Sequence, residues 1–255
     1  MADKQPPAAP ATPKAAESTA IVDWQAELSA LAVATAEAEK PSGNWVSFKN
    51  GRLSIGGNQM KDDKVQCIVV NSVFENQWYM HKFDPDNPQS PDCYAIADLE
   101  EDLKPHKDSG APQSPTCAEC PKNAWGSDPG GGRGKACKNV RRLAMIAAVD
   151  ASHPDHVKKA DIAIAKLPVT SVANWSTYAN QIANVLKLPP LAVISEMSVE
   201  PNSKTIFQVN FALIDKVSDS AVIQALLGKR KDTMELMHSG YEKNVPKQPE
   251  AARKF

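Results

Sequence analysis

Short strand patterns parted by turn signals, a helical stripe set before the last hairpin and a long cysteine-bearing excursion predict a mainly β, α+β fold with flanking helices. The expected architecture is an OB-like Greek-key barrel with a four-cysteine zinc loop insertion. The strand patterns outnumber the five of a minimal barrel, so extensions or a second small sheet are expected, and a plain α+β sandwich is the alternative. With 255 residues, 42% hydrophobic and 23% charged, the chain can bury a full core in one large or two small domains. No apolar run approaches the roughly 20 residues that span a bilayer, so no membrane association is expected.

In chain order, residues 1–18 are Ala-, Pro- and Lys-rich and read as a disordered arm. Residues 19–40 read as an N-terminal helix, with Ile21, Trp24, Leu28, Leu31, Ala34 and Ala38 on one apolar stripe. Residues 41–215 form the expected OB-like core, with the zinc loop at 91–140, and 216–255 a C-terminal helix and loose tail. Core strand patterns run Trp45–Phe48, Arg52–Ile55, Lys64–Phe74 and Gln77–Phe83. Asn50-Gly51 is the strongest tight-turn signal and Gly56-Gly57-Asn58 the next. After the loop, Val140–Val149 and Ala160–Leu167 are expected to pair as a hairpin. A helix follows Pro168, with Thr170 or Ser171 as its N-cap. Two more strands, Ala192–Val199 and Thr205–Ile214, form a second hairpin, the later strand reading as either bulged or buried on both faces with its register open, and Ser218–His238 is the last helix.

The cysteines supply the chemistry. Cys117 and Cys120 have the two-residue spacing with which two thiolates bind one tetrahedral ion, and Pro121 stiffens the turn behind them. Cys93 and Cys137 complete a four-thiolate set, across loops that close at modest entropic cost. Lys104 to Gly134 contains five prolines and six glycines, a composition that needs a cross-link because it cannot bury a core. Two disulfides or four free thiols are the alternatives. With no N-terminal apolar run, a reducing, cytoplasmic compartment is expected, where paired cysteines more often bind metal. Cys67, within an apolar strand, reads as a small hydrophobe.

The formal charge of -1 gives no global sign of nucleic-acid binding, but local clustering does. Cys117 to Arg142 holds six cations, Lys122, Arg133, Lys135, Lys138, Arg141 and Arg142, against Glu119 and Asp128. The glycine run Gly130–Gly134 lets backbone amides approach phosphates, and Trp125 stands inside the basic segment where a base could stack. The alternative is a solvated metal loop whose cations offset the charge of the thiolates. Trp78 and Tyr79 put one ring on each face of their strand, so at most one of them is expected to be exposed.

Enzymatic patterns fail. His106-Lys107-Asp108 lacks the Glu of a zinc deaminase, and a closed four-thiolate site leaves no position for an activated water. Pro129 and Ala136 break the phosphate-loop pattern around Gly134-Lys135. His153 and His156 read as a solvated turn, and Asp98–Asp102 as a solvent face.

The run Pro112–Ser127, closing at Gly134-Lys135-Ala136-Cys137 and Arg141-Arg142-Leu143, resembles a cysteine-rich motif of tailed-bacteriophage proteins. Leu167–Trp175 with Tyr178 is similar to a second block of those proteins. A zinc-bearing OB barrel also resembles the single-stranded DNA-binding proteins that phages use in DNA replication and recombination. The resemblance implies sequence-nonspecific single-stranded DNA binding in a host cytoplasm, with phage or host replication and recombination proteins as partners. Two features depart from the pattern: the ligands are four cysteines without histidine, and the tail contains Lys and Arg where many such proteins are acidic. A zinc-stabilised protein-interaction module, a phage regulator or inhibitor of a host protein, is the alternative function. A metal-dependent nuclease is the second.

Overall fold

The computed structural model describes residues 45–81 and 89–241, together with Glu27, Leu28, Leu31 and Thr35, which are helical. The expected arm at 1–18, Trp24 and most of its helix, and residues 242–255 of the tail lie outside the described residues. The chain divides into two units, Met1–Pro41 and Ser42–Phe255, and the second holds the sheet and the cysteine loop.

Among the described residues nine strands make one curled, mixed sheet. A short meander opens it: β1 (Trp45–Ser47), β2 (Ser54–Ile55) and β3 (Asn58–Gln59). The two-residue hairpin turn is Gly56-Gly57, with φ of 56° and 83°, the geometry that a glycine pair adopts without steric cost. Asn50-Gly51 instead sits in a wider connection, because Ser47 pairs with Ser54 and leaves six residues between them.

The next element, β4 (Lys64–Trp78), is the spine of the sheet. Sequence reading divides it in two at Glu75-Asn76; the structure runs it unbroken, since both side chains are buried within the sheet's interactions. One edge of β4 pairs with β6 (Lys138–Ala147). The other edge takes β8 (Val193–Asn202) along Lys64–Cys67 and then β5 (Cys93–Ala97) along Phe74–Trp78. Beyond β6 comes β7 (Ala163–Leu167), which meets β1 in parallel, and beyond β8 comes β9 (Ile206–Lys216). Of the two readings of β9, the bulge is found, at Ile214, where the register shifts between Ile194 and Ser195, and the strand is not buried on both faces. The loop between β6 and β7 holds the short helix α1 (Pro154–Lys159), whose first turn is capped by His153 accepting from the Asp155 amide at 3.2 Å.

Helix α2 (Val169–Gln181) fills the inside of the curl. Its Trp175, Tyr178 and Ile182 just beyond it pack with Leu53, Val69, Leu143, Met145, Leu167, Met197 and Val209. Neither Thr170 nor Ser171 is the N-cap; Pro168 holds that position, and Ser171 Oγ accepts from the Val209 amide at 2.9 Å while Asn174 Nδ2 donates to the Val209 carbonyl at 3.1 Å. Two side chains thus satisfy both backbone groups of Val209 as a further strand would, which covers the edge of β9 at that position. At the opposite end of the sheet, Gly51 closes on Phe207, bringing the first meander against β9. The outer face is covered by α1 and by α3 (Ser220–His238), whose Val222, Ala225, Leu226 and Met237 pack on Ile68, Val70, Ala144 and Ile146. Asp219 caps α3 by accepting from the Ala221 amide at 2.7 Å. Among the described residues no helix is long and apolar enough to cross a membrane.

Candidate metal centre and nucleic-acid interface

The excursion between β4 and β6 folds on a small apolar base of Ala95, Ala97, Leu103 and Cys117, with Phe74 against it. Cys93 opens β5, paired across from Trp78. Cys117 is fixed by its amide donating to the Leu103 carbonyl at 3.0 Å, and the Cys120 amide turns back to the Cys117 carbonyl. Cys137 enters β6 with its amide on the Lys122 carbonyl at 2.8 Å. These backbone bonds bring all four cysteines, some 44 residues apart at their extremes, to the lining of one small cavity of about 10 Å³, shared with Asn76, Gln113 and Asn123. That is room for about one atom-sized occupant.

The sulfurs are free thiols, and the environment works against their ionisation. Burial pushes the Cys93 and Cys117 thiols up and drives Cys137 to about 12, with repulsion among the sulfurs adding to it. Set against this are donors aimed at sulfur: the Gln113 amide and Ser109 hydroxyl at Cys93, Asn76 at Cys117, and the Gln77 amide at Cys137. Asn76 Nδ2 is buried without a formed hydrogen bond to nitrogen or oxygen. A donor shell of this kind suits thiolates, and a cation among the sulfurs would reverse their raised pKa values. Among the described residues no three His, Cys, Asp or Glu side chains already stand as a metal-binding group, so the fit rests on donor type, cavity size and the donors around the sulfurs.

The surface of the same loop carries the expected stacking residue. Trp125 is 79% exposed, and Lys135 Nζ lies 5.0 Å from its ring centroid. Arg133 is exposed on the same loop, and Lys138 reaches Asp128 at 3.1 Å, where Asp128 also accepts from the Gly130 amide. Lys122 Nζ lies 5.3 Å from the Trp78 ring centroid on the cavity side, while Tyr79 is exposed with its hydroxyl on Gln77.

Arg141 and Arg142 are placed differently from the expected basic surface. Arg141 stacks its guanidinium 3.0 Å from the Phe74 ring centroid, half-buried, and burial pulls its pKa down to about 10. Arg142 is 3% exposed and belongs to the interior. Its Nε and Nη2 donate to the two oxygens of Glu75 at 2.9 and 3.0 Å, and its Nη1 donates to the carbonyls of Met237 and Ser239. The Tyr241 hydroxyl and Gln77 also donate to Glu75. Lys166 Nζ donates to the Tyr241 hydroxyl at 2.6 Å and lies 3.7 Å from Glu75.

Sequence reading does not single out Glu75, Lys166, Tyr241 and Trp45 as a group. The available signal is a polar triplet, Glu75-Asn76-Gln77, in a strand whose flanks are apolar. Compared with protein families, curated proteins and solved structures, the chain matches none.

Proposed function

We propose that the protein is a non-enzymatic, sequence-nonspecific single-stranded DNA-binding protein, built on an OB-like Greek-key barrel. Zinc held by Cys93, Cys117, Cys120 and Cys137 would cross-link its main contact loop and supply no reacting group. Support for the barrel comes from the strand order β7-β6-β4-β8-β9. Taking β4, β6, β7, β8 and β9 as strands one to five, the cysteine loop is the connection between strands one and two. OB folds bind oligonucleotides with that connection and the face of strands two and three. The process served, phage DNA replication or recombination, rests on the motif resemblance.

The observation that carries the reading is Trp125, exposed with a lysine on one side of its ring. A base stacks on the free side while Lys135, Arg133, Lys122 and Lys138 meet phosphates along the strand. Removing Trp125 should weaken binding by about 1–3 kcal/mol.

The test is fluorescence anisotropy of labelled oligo-dT and of duplex across a salt series, with Trp125→Ala alongside and zinc measured by elemental analysis. Salt-sensitive binding that favours the single strand, weakened by the substitution, is the expected result. No binding to either form by zinc-loaded protein would sink the reading and leave the interaction-module alternative.

A further inference from the structure

The outer face of β7 and β6 holds a cation that the loop reading does not use. Lys166 Nζ is flanked by two rings, 4.0 Å from the Tyr241 centroid and 5.4 Å from that of Trp45. Lys166 stands directly across from Arg142, and Trp45 across from Ile164 on the parallel strand. Two cations therefore share one carboxylate. Glu75 is fully buried and engaged by Arg142, Gln77 and Tyr241, whereas the Lys166 side chain is 29% exposed and Trp45 is 48% exposed. An anion arriving from solvent meets Lys166, the reachable member of a cluster with one surplus positive charge, next to an open indole face.

Phosphate beside a part-exposed cation that shares its carboxylate with a second cation, with an aromatic surface within reach, is the recognition chemistry of a nucleotide unit. The face is continuous with the cysteine loop: Gln77 bonds Tyr79 and pairs across to Lys138, which reaches Asp128 in the loop. Resting on the single-stranded DNA reading above, we infer that Lys166 and Trp45 form a second nucleotide subsite. Lys166 takes a phosphate and Trp45 stacks a base of the same strand that Trp125 engages. The strand would then run from the loop around the Met237–Tyr241 segment, which covers Glu75 and Arg142, to Lys166 on β7 and Trp45 on β1.

The test is the fluorine NMR spectrum of full-length protein labelled with 5-fluorotryptophan, the Trp45 and Trp125 signals being assigned with Trp45→Phe and Trp125→Phe. Oligo-dT of about 5 and about 15 nucleotides, near the lower and upper ends of OB site sizes, is added. Both signals should move with the longer strand, and Lys166→Gln should weaken that strand's binding roughly tenfold. A shift of Trp125 with Trp45 unmoved overturns the second subsite and leaves the loop reading standing. Unchanged binding in Lys166→Gln overturns the phosphate assignment. Neither signal moving, with no binding, ends the single-stranded DNA reading and this inference together.

Discussion

Arg142 and Glu75 meet in a two-point pair, Nε to Oε2 at 2.9 Å and Nη2 to Oε1 at 3.0 Å, with both side chains almost wholly removed from solvent. The pair lies on the outer face of the sheet, on β6 and β4, and Arg142 extends from it to two carbonyls at the end of α3. A basic residue that reads by sequence as a DNA contact is therefore a joint between sheet, helix and tail.

Cutting that joint on one side leaves an uncompensated charge in the interior. Arg142→Ala or Glu75→Ala should each cost about 3–5 kcal/mol in urea unfolding, and the double mutant less than the sum. Additive losses would show that the two side chains do not act as a unit.

Acid should act through the same pair. Burial raises the Glu75 carboxyl, but the hydrogen bonds and charge of Arg142, with the charge of Lys166 and the Tyr241 hydroxyl, outweigh it and hold it below its ordinary 4.5. A depressed folded value contributes stability that is complete above the unfolded value and is lost as pH falls through the folded one. Stability measured from pH 7 to 3 should drop below about pH 4.5, and Glu75→Gln, weaker throughout, should drop less steeply.

Lys166 moves the opposite way. Burial and Arg142 press its ammonium down to about 8 against the pull of Glu75. Its charge is present below that value and lost above it. Oligo-dT affinity should therefore fall as pH rises from 7 to 9 in the wild type and stay flatter in Lys166→Gln, and a bound phosphate should shift the fall upward. Equal profiles for the two proteins would detach Lys166 from binding.

Metal removal should have a local effect. Neither of the two main core clusters includes Cys93, Cys117 or Cys137. A zinc chelator should release about one ion per chain and open residues 104–134 to protease while far-UV circular dichroism persists. Global unfolding on chelation, or zinc-free protein with a protected loop, would contradict the structural role given to the metal.

Ser171 is a point at which one hydroxyl decides a strand edge. Ser171→Ala leaves the buried Val209 amide without its acceptor, which should cost about 1–3 kcal/mol in denaturant unfolding, and Ser171→Thr should restore part of it.

The elements that are legible in the sequence share a cause. Val193–Asn202 and the hairpin of β6 with β7 bury residues in alternating or short apolar runs, and such runs need no knowledge of distant partners. Glu75-Asn76 misleads for the converse reason: their partners are Arg142, Tyr241 and Asn139, 63 or more positions away, and local polarity reads as a turn. The glycine turns exchange roles because hairpin geometry depends on strand register, which neither dipeptide encodes. Spacing marks only Cys117 and Cys120; Cys93 and Cys137 complete a set of four by composition and meet them at one cavity, whereas the Trp45–Lys166–Tyr241 group joins three segments that share no motif.

Because the guanidinium of Arg142 reaches the Ser239 carbonyl, 97 positions further along, this part of the sheet's outer face is completed only once Ser239 has been made. At about 5–20 residues per second on the ribosome, roughly 5–20 s separate the synthesis of the two partners. During that interval Glu75 and Arg142 lack the Tyr241 hydroxyl and the carbonyls at the end of α3. The polar cluster on β4 and β6 can therefore be sealed from water only after the segment Met237–Tyr241 has been made, however early the strands themselves collapse.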